Sequence, residues 1–178
     1  MNEIRRLREN YVLQKNGILE QNDLTEIEHQ KLLHVAQKKL FAETDAFLDN
    51  NLNQPYWLRE KPVAEIIGAA IHHRDGKQYC LHAFTIMPNH VHMLMTLFPT
   101  SPVLFKVMQD LKKYTGLHGN RCIGREGQFW EKESYDHIVR SEDEFFRVVN
   151  YILRNPVKAG FVKEWKQWPN TFVKTELL

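Results

Sequence analysis

Gln78-Tyr79-Cys80-Leu81-His82-Ala83-Phe84-Thr85-Ile86-Met87-Pro88-Asn89-His90-Val91-His92-Met93-Leu94-Met95-Thr96-Leu97-Phe98 is the stretch from which the rest of the chain can be read. Two β-like runs, Gln78 to Met87 and His90 to Phe98, are separated by Pro88-Asn89. Proline has no amide donor and asparagine tolerates turn conformations, so this pair predicts a tight junction between antiparallel strands. Side chains alternate across a strand, which puts His90 and His92 on one face of the second run. A lone His-x-His on a half-buried strand is more often simply hydrogen-bonded than metal-bound. The pair therefore needs support from elsewhere in the chain.

Helical patterns flank the two runs. Upstream, Pro62 suits the first position of a helix, and Val63, Ile66, Ile67, Ala70 and Ile71 repeat at the spacing of a face that lies on a sheet. His72 and His73 fall near its end and read as capping or surface residues, with Asp75-Gly76 as a turn. Downstream, Ser101-Pro102 starts a helix with Leu104, Val107, Met108 and Leu111 on one stripe and Lys112-Lys113-Tyr114 near its end. A loop containing Gly119, Gly124 and Gly127 leads to Gln128-Phe129-Trp130, and Tyr135 to Arg140 reads as extended. Ser141 and Glu144 form a capping box for a final helix that packs through Phe145, Val148, Val149 and Ile152.

The N-terminal part is less defined. Tyr11-Val12-Leu13 suggests a short strand in a basic, weakly patterned opening that runs to about Gly17. From a cap at Asn22 or Asp23, Leu24 to about Leu48 lacks Gly and Pro and reads as a long helix, followed by the connector Asn50-Asn51-Leu52-Asn53-Gln54-Pro55. The order βαββα plus a last helix is an α+β sandwich pattern. At 178 residues and 43% hydrophobic, the chain fits a single domain over 1–178, with 1–55 as an accessory strand and helix and 56–178 as the core.

Bulk properties exclude more than they assign. No stretch approaches the roughly 18 apolar residues of a membrane span, and the opening lacks the apolar core of a signal peptide, so a cytoplasmic location without membrane contact is expected. Cys80 and Cys122 carry no metal-type pairing and read as reduced thiols. The net charge of +2 is too mild to argue for nucleic acid, but the balance moves from −1 over residues 1–102 to +3 over 103–178. That tilt permits a phosphate-facing surface in the second half.

Tyr151 and Asn155 provide the support that the histidines need. Four residues apart, they share one side of the last helix, on the flank of its apolar stripe, and so fall at the seam between helix and sheet. Pro156 disfavours helical geometry at Asn155, so the helix is expected to end there with the side chain turned inward. Two neutral imidazoles and an amide oxygen suit a divalent ion while leaving positions open for substrate. A tyrosine beside such an ion is a nucleophile once its proton, at a reference pKa of about 10, is helped off.

Met87-Pro88-Asn89-His90-Val91-His92 together with Tyr151 and Asn155-Pro156-Val157-Lys158-Ala159-Gly160 resembles the single-tyrosine HUH transposases, specifically the REP-associated tyrosine transposases. The resemblance runs from about Pro62 to Phe172 and includes Leu81-His82-Ala83-Phe84, Met108-Gln109-Asp110-Leu111-Lys112, Phe129-Trp130-Glu131, Tyr135-Asp136-His137 and Trp168-Pro169. It implies a ferredoxin-like sandwich, with His90 and His92 on a central strand binding Mg²⁺ or Mn²⁺ and Asn155 as third ligand. It further implies that Tyr151 attacks single-stranded DNA near hairpin-forming repeats, giving a 5′-phosphotyrosine and a free 3′-OH, at the bacterial nucleoid. A homodimer is compatible with it, as are sites within one chain or shared by two. One departure is the first strand, of the Tyr-x-Val-Thr-Phe-Arg type in that family, which Asn10-Tyr11-Val12-Leu13-Gln14-Lys15 matches poorly.

Further residues follow as a group. Lys112, Lys113, Arg121, Arg125, Arg140 and Arg154 are candidate phosphate contacts, and Tyr114 and Trp130 candidate stacking residues, on one DNA face. Tyr135, with His137 as its base, is a rival nucleophile, and the resemblance favours Tyr151. Two other classes stay open: a hairpin-binding protein that no longer cleaves, motivated by the poor first strand, and a small-phosphate metallohydrolase or structural zinc site, which needs only the histidines.

Overall fold

The computed structural model describes residues 3–50, 56–132 and 134–177. The chain divides into two compact units, Met1–Gln54 and Pro55–Leu178. Apart from Asn50, the expected connector lies outside the described residues.

The first unit is a pair of packed helices, α1 (Glu3–Leu19) and α2 (Glu26–Asn50). The strand expected at Tyr11-Val12-Leu13 is the middle of α1. Two β-favouring residues, Tyr11 and Val12, are outweighed by a run without proline, supported by the Arg5–Glu9 pair one turn apart (2.9 Å) and by Arg6 with Glu3. The cap of α2 is also displaced from Asn22 or Asp23. Thr25 Oγ1 accepts from the Glu28 amide at 3.3 Å, while Glu28 Oε2 accepts from the Thr25 amide at 2.8 Å, a reciprocal capping box.

The second unit is an α+β sandwich. A 3-10 turn at Trp57–Arg59 leads into α3 (Lys61–Arg74), then β1 (Tyr79–Ile86), β2 (Val91–Leu97), α4 (Leu104–Cys122), α5 (Glu142–Lys158) and β3 (Thr171–Val173). The sheet order is β2-β1-β3, antiparallel throughout. Pro88-Asn89 makes the junction read from the sequence, closed by the Met87 amide donating to the His90 carbonyl at 2.8 Å. The short strand β3 was not anticipated, although Thr171-Phe172-Val173 are all β-favouring. With no strand before α3 among the described residues, β2 is an edge strand of this sheet. The stretch expected to form the first strand of the ferredoxin-like pattern, Tyr11-Val12-Leu13, is helical.

A bulge between Leu81 and Ala83 sorts β1 between two layers. Leu81, Phe84 and Ile86 pack with Val63, Ile67 and Ile71 of α3 and Val107 and Leu111 of α4. On the other face, Ala83 and Leu94 pack with Val149, Ile152 and Leu153 of α5. Tyr79, fully buried, ties α3 to β1 by donating from its hydroxyl to the Ile71 carbonyl at 2.8 Å, and burial pushes its pKa up to about 12.

Two helices run past their expected ends. α4 continues from Tyr114 to Cys122 because Gly116 and Gly119 let Phe129 lie against it; a Cβ at Gly119 would sit 2.8 Å from the Phe129 ring. α5 carries Pro156 inside its last turn and ends only at Lys158, where Gly160 takes a positive φ of 77°. Proline removes one donor, which a final turn tolerates, while the Ala159 amide still reaches the Asn155 carbonyl at 2.9 Å. The segment from 134 to 140 forms no regular strand.

Candidate metal centre and nucleophile

Leu94 faces α5, and strand alternation therefore turns His92 and His90 toward the same helix. The His90 and His92 Nε2 atoms lie 3.0 Å apart, with the rings edge to face at a centroid distance of 4.7 Å. Asn89 Oδ1 accepts from His90 Nδ1 at 2.8 Å, which fixes the proton on Nδ1 and leaves the His90 Nε2 lone pair facing His92. Asn89, whose side chain orients His90, reads from the sequence only as a turn former. Its position next to a candidate ligand was the available signal.

From the opposite layer, α5 presents Asn155 and Tyr151. Asn155 is buried to 1% exposure, and its carboxamide nitrogen lies 3.2 Å from His92 Nε2. Its Oδ1 is buried with no hydrogen-bond partner among the described residues. Tyr151, one turn earlier and partly exposed, sets its ring edge to face against His92 at 5.4 Å. Lys158 Nζ stands 5.7 Å from the Tyr151 ring centroid.

These contacts do not close as a hydrogen-bond network. With His90 Nε2 an acceptor, His92 Nε2 can satisfy it only as a donor, and would then meet the Asn155 NH₂, also a donor. Turning the amide end for end about its last side-chain bond, so that nitrogen and oxygen trade places, directs Oδ1 to the histidines. Two imidazole lone pairs and an amide oxygen then converge. That donor set suits a divalent cation, and the orphaned Oδ1 gains a partner.

The rival pair is arranged differently. His137 Nε2 lies 3.1 Å from Glu144 Oε1, and Glu144 Oε2 accepts from the Arg140 amide at 2.9 Å. Ser141 Oγ caps α5 by accepting from the Glu144 amide at 3.2 Å, so the box read from sequence is reciprocated one residue earlier, at Arg140. Tyr135 is partly exposed on the irregular segment before it.

The eight candidate DNA contacts separate into groups. Lys112, Lys113, Arg121, Arg125 and Trp130 line one groove on α4. Tyr114, exposed on the same helix, packs on His118 at 4.3 Å. Arg154 is exposed on α5 and Arg140 just before that helix. No helix of the described residues is long and apolar enough to cross a membrane.

The family model described as "Transposase IS200 like" matches residues 57–155, which contain both histidines, Tyr151 and Asn155. A Haemophilus influenzae protein, named as a candidate REP-associated tyrosine transposase, is 30% identical over 52% of this chain and 61% of its own length. The REP-associated tyrosine transposase of Escherichia coli K12 is 28% identical over 57% of this chain and 58% of its own length. The chain thus spans about three fifths of the curated relatives it matches. A solved structure of a REP-associated tyrosine transposase bound to a REP hairpin superposes with a TM-score of 0.55 at 22% identity, covering 68% of this chain and 70% of that one, a likeness of fold. With the family match spanning more than half of its residues, the chain belongs to the IS200-like transposase family.

Proposed function

We propose that the chain is a metal-dependent endonuclease and strand transferase for single-stranded DNA at hairpin-forming repeats, acting through a 5′-phosphotyrosine on Tyr151. The observation that carries this reading is the convergence of His90, His92 and Asn155 beside Tyr151, with a donor mismatch that a cation resolves. The relatives named for REP-associated transposition and the hairpin bound in the similar structure supply the substrate class.

When bound, Mg²⁺ or Mn²⁺ supplies Lewis-acid polarisation of a non-bridging phosphodiester oxygen. Two imidazole ligands favour Mn²⁺ over the oxygen-preferring Mg²⁺. Asn89 holds His90 in the tautomer that directs its lone pair inward, and the buried Asn155 fixes the distance between helix and strand. Tyr151 Oη attacks phosphorus in line; the phosphorus–O3′ bond breaks, the phenol proton passes to solvent, and the leaving 3′ oxygen is protonated. Lys158 places its positive charge beside the attacking phenol, where negative charge gathers. Because the tyrosyl ester retains the energy of the broken bond, a 3′-OH can attack it, rejoin the strand and release the phenol. The remaining candidate contacts fall on two faces, Arg140 and Arg154 at α5 on the side of the metal centre and Tyr114 with the α4 groove on the other, and are proposed as DNA contacts of those two surfaces.

Incubation with a hairpin-bearing single-stranded oligonucleotide and Mn²⁺ tests this reading. A covalent protein–DNA adduct is expected, and Tyr151→Phe abolishes it. A second reading, a hairpin-binding protein with weakened cleavage, draws on β2 being an edge strand, since the histidines then rest on a strand paired on one side. Tight hairpin binding with no adduct under either metal would favour it.

A further inference from the structure

The last residue of β1, Ile86, stands directly before the turn that leads to the histidines. Across that turn Met87 faces His90, its amide donating to the His90 carbonyl at 2.8 Å. Hydrogen-bonded and non-hydrogen-bonded pairs alternate along an antiparallel ladder, so the next pair, Ile86 with Val91, is of the second kind. The amide and carbonyl of Ile86 therefore point away from β2. Ile86 is 2% exposed and Met87 1%, which makes these backbone groups depend on protein partners. The segment just before β3 supplies them. The Ile86 amide donates to the Asn170 carbonyl at 2.9 Å, and the Ile86 carbonyl accepts from Trp168 Nε1 at 3.0 Å. An indole thus stands where a regular ladder would place the Asn170 amide.

That indole is itself held. Pro169 favours extended backbone in the residue before it, and Trp168 has φ −86° and ψ 110°. Its amide donates to the Trp165 carbonyl at 3.0 Å, and its ring packs on Phe161 at a centroid distance of 5.4 Å. The Ile86 carbonyl and the Met87 amide belong to one planar peptide unit, so fixing one fixes the other. Trp168 holds one end of this unit and the His90 carbonyl takes the other, a chain in which each bond polarises the next. Rotating that plane would carry the His90 backbone with it. The following peptide unit is gripped as well, since the Pro88 carbonyl accepts from the amide of the buried Leu58 at 3.1 Å.

We infer that Trp168 is a positioning residue for the metal centre: its indole N–H, acting through the Ile86–Met87 peptide, sets where His90 stands against His92 and Asn155. Trp168 supplies no ligand. It acts on His90 from 82 residues beyond Ile86 in the sequence, from the segment that leads into β3. Asn89 fixes the tautomer of His90, and Trp168 fixes the backbone from which that ring projects. The inference rests on the proposed metal centre.

Trp168→Phe removes the N–H and keeps a ring against Phe161. Trp165→Phe makes the same change where the ring packs on the α5 layer with Val149, Ile152 and Leu153, and so controls for a loss of packing alone. Both are made in the full chain and studied well below their melting temperatures. Calorimetry gives the Mn²⁺ affinity, and NMR of the metal-free protein gives the imidazole ¹⁵N signals of His90. Trp168→Phe should weaken Mn²⁺ binding about tenfold and move the His90 signals, with Trp165→Phe within about twofold of wild type and its His90 signals in place. Either readout unchanged in Trp168→Phe, or equal changes in the two variants, would overturn the inference. If the wild-type protein binds no Mn²⁺, the metal reading fails and the His90 signals alone decide the positioning role. Absence of a protein–DNA adduct would sink the enzymatic reading and leave both comparisons intact.

Discussion

Asn155 on α5 holds its carboxamide 3.2 Å from His92 Nε2 on β2, across 63 residues of sequence. Nearly full burial makes this a poor place for an amide with an unmet oxygen. The arrangement becomes favourable when the oxygen and the two imidazoles share a cation.

Substitution at this position should therefore separate metal from fold. Asn155→Ala is expected to weaken Mn²⁺ binding, measured by calorimetry, by about 10–100-fold or more, and Asn89→Ala by about 10–100-fold through loss of His90 orientation. Asn155→Asp buries a carboxylate beside neutral groups, so its melting temperature should fall without metal and rise on adding Mn²⁺ by more than wild type does. Equal Mn²⁺ affinity in all four proteins would remove Asn89 and Asn155 from the site.

A pH effect follows from His82, which donates to or accepts from Thr96 Oγ1 at 2.8 Å and packs on Phe145. Burial first, and the Lys174 charge second, hold its pKa below the ordinary value. The unfolded chain then takes up a proton near pH 6.5 that the folded chain resists, so the contribution is complete above that pH and is lost as pH falls below it. His82→Gln should flatten the drop in melting temperature between pH 7.5 and 5.5. An identical drop in both proteins would assign it to other groups.

Gly119 tests the packing that shapes the α4 groove. A methyl group there meets Phe129 Cε2 at 2.8 Å and Cζ at 2.9 Å, so Gly119→Ala should destabilise the second unit by about 1–3 kcal/mol in denaturant melts. Gly124→Ser serves as a comparison of another kind, since that site has open space and a positive φ of 63°. No loss at Gly119 would mean that Phe129 shifts freely.

The hairpin, the helix flanks and the pairing of Tyr151 with Asn155 were legible because each depends on local periodicity and turn chemistry. Alternation alone places His90 and His92 on one face, and the i, i+4 spacing alone places Tyr151 above Asn155. The helical state of Tyr11-Val12-Leu13 was not legible, because that local strand signal is overruled by the helical run around it. The true ends of α4 and α5 depend on Phe129 seating on glycines and on a tolerated last-turn proline, both set by tertiary contacts. Asn89 was read for its backbone, although its side chain does the orienting.

Tyr151 is the proposed carrier of the cleaved strand. A hairpin-bearing single-stranded oligonucleotide is incubated with the protein and Mn²⁺, the adduct is digested, and the modified peptide is sequenced by mass spectrometry. A 5′-phosphonucleotide is expected on Tyr151. A nucleotide found on Tyr135, or on any residue other than Tyr151, would contradict it.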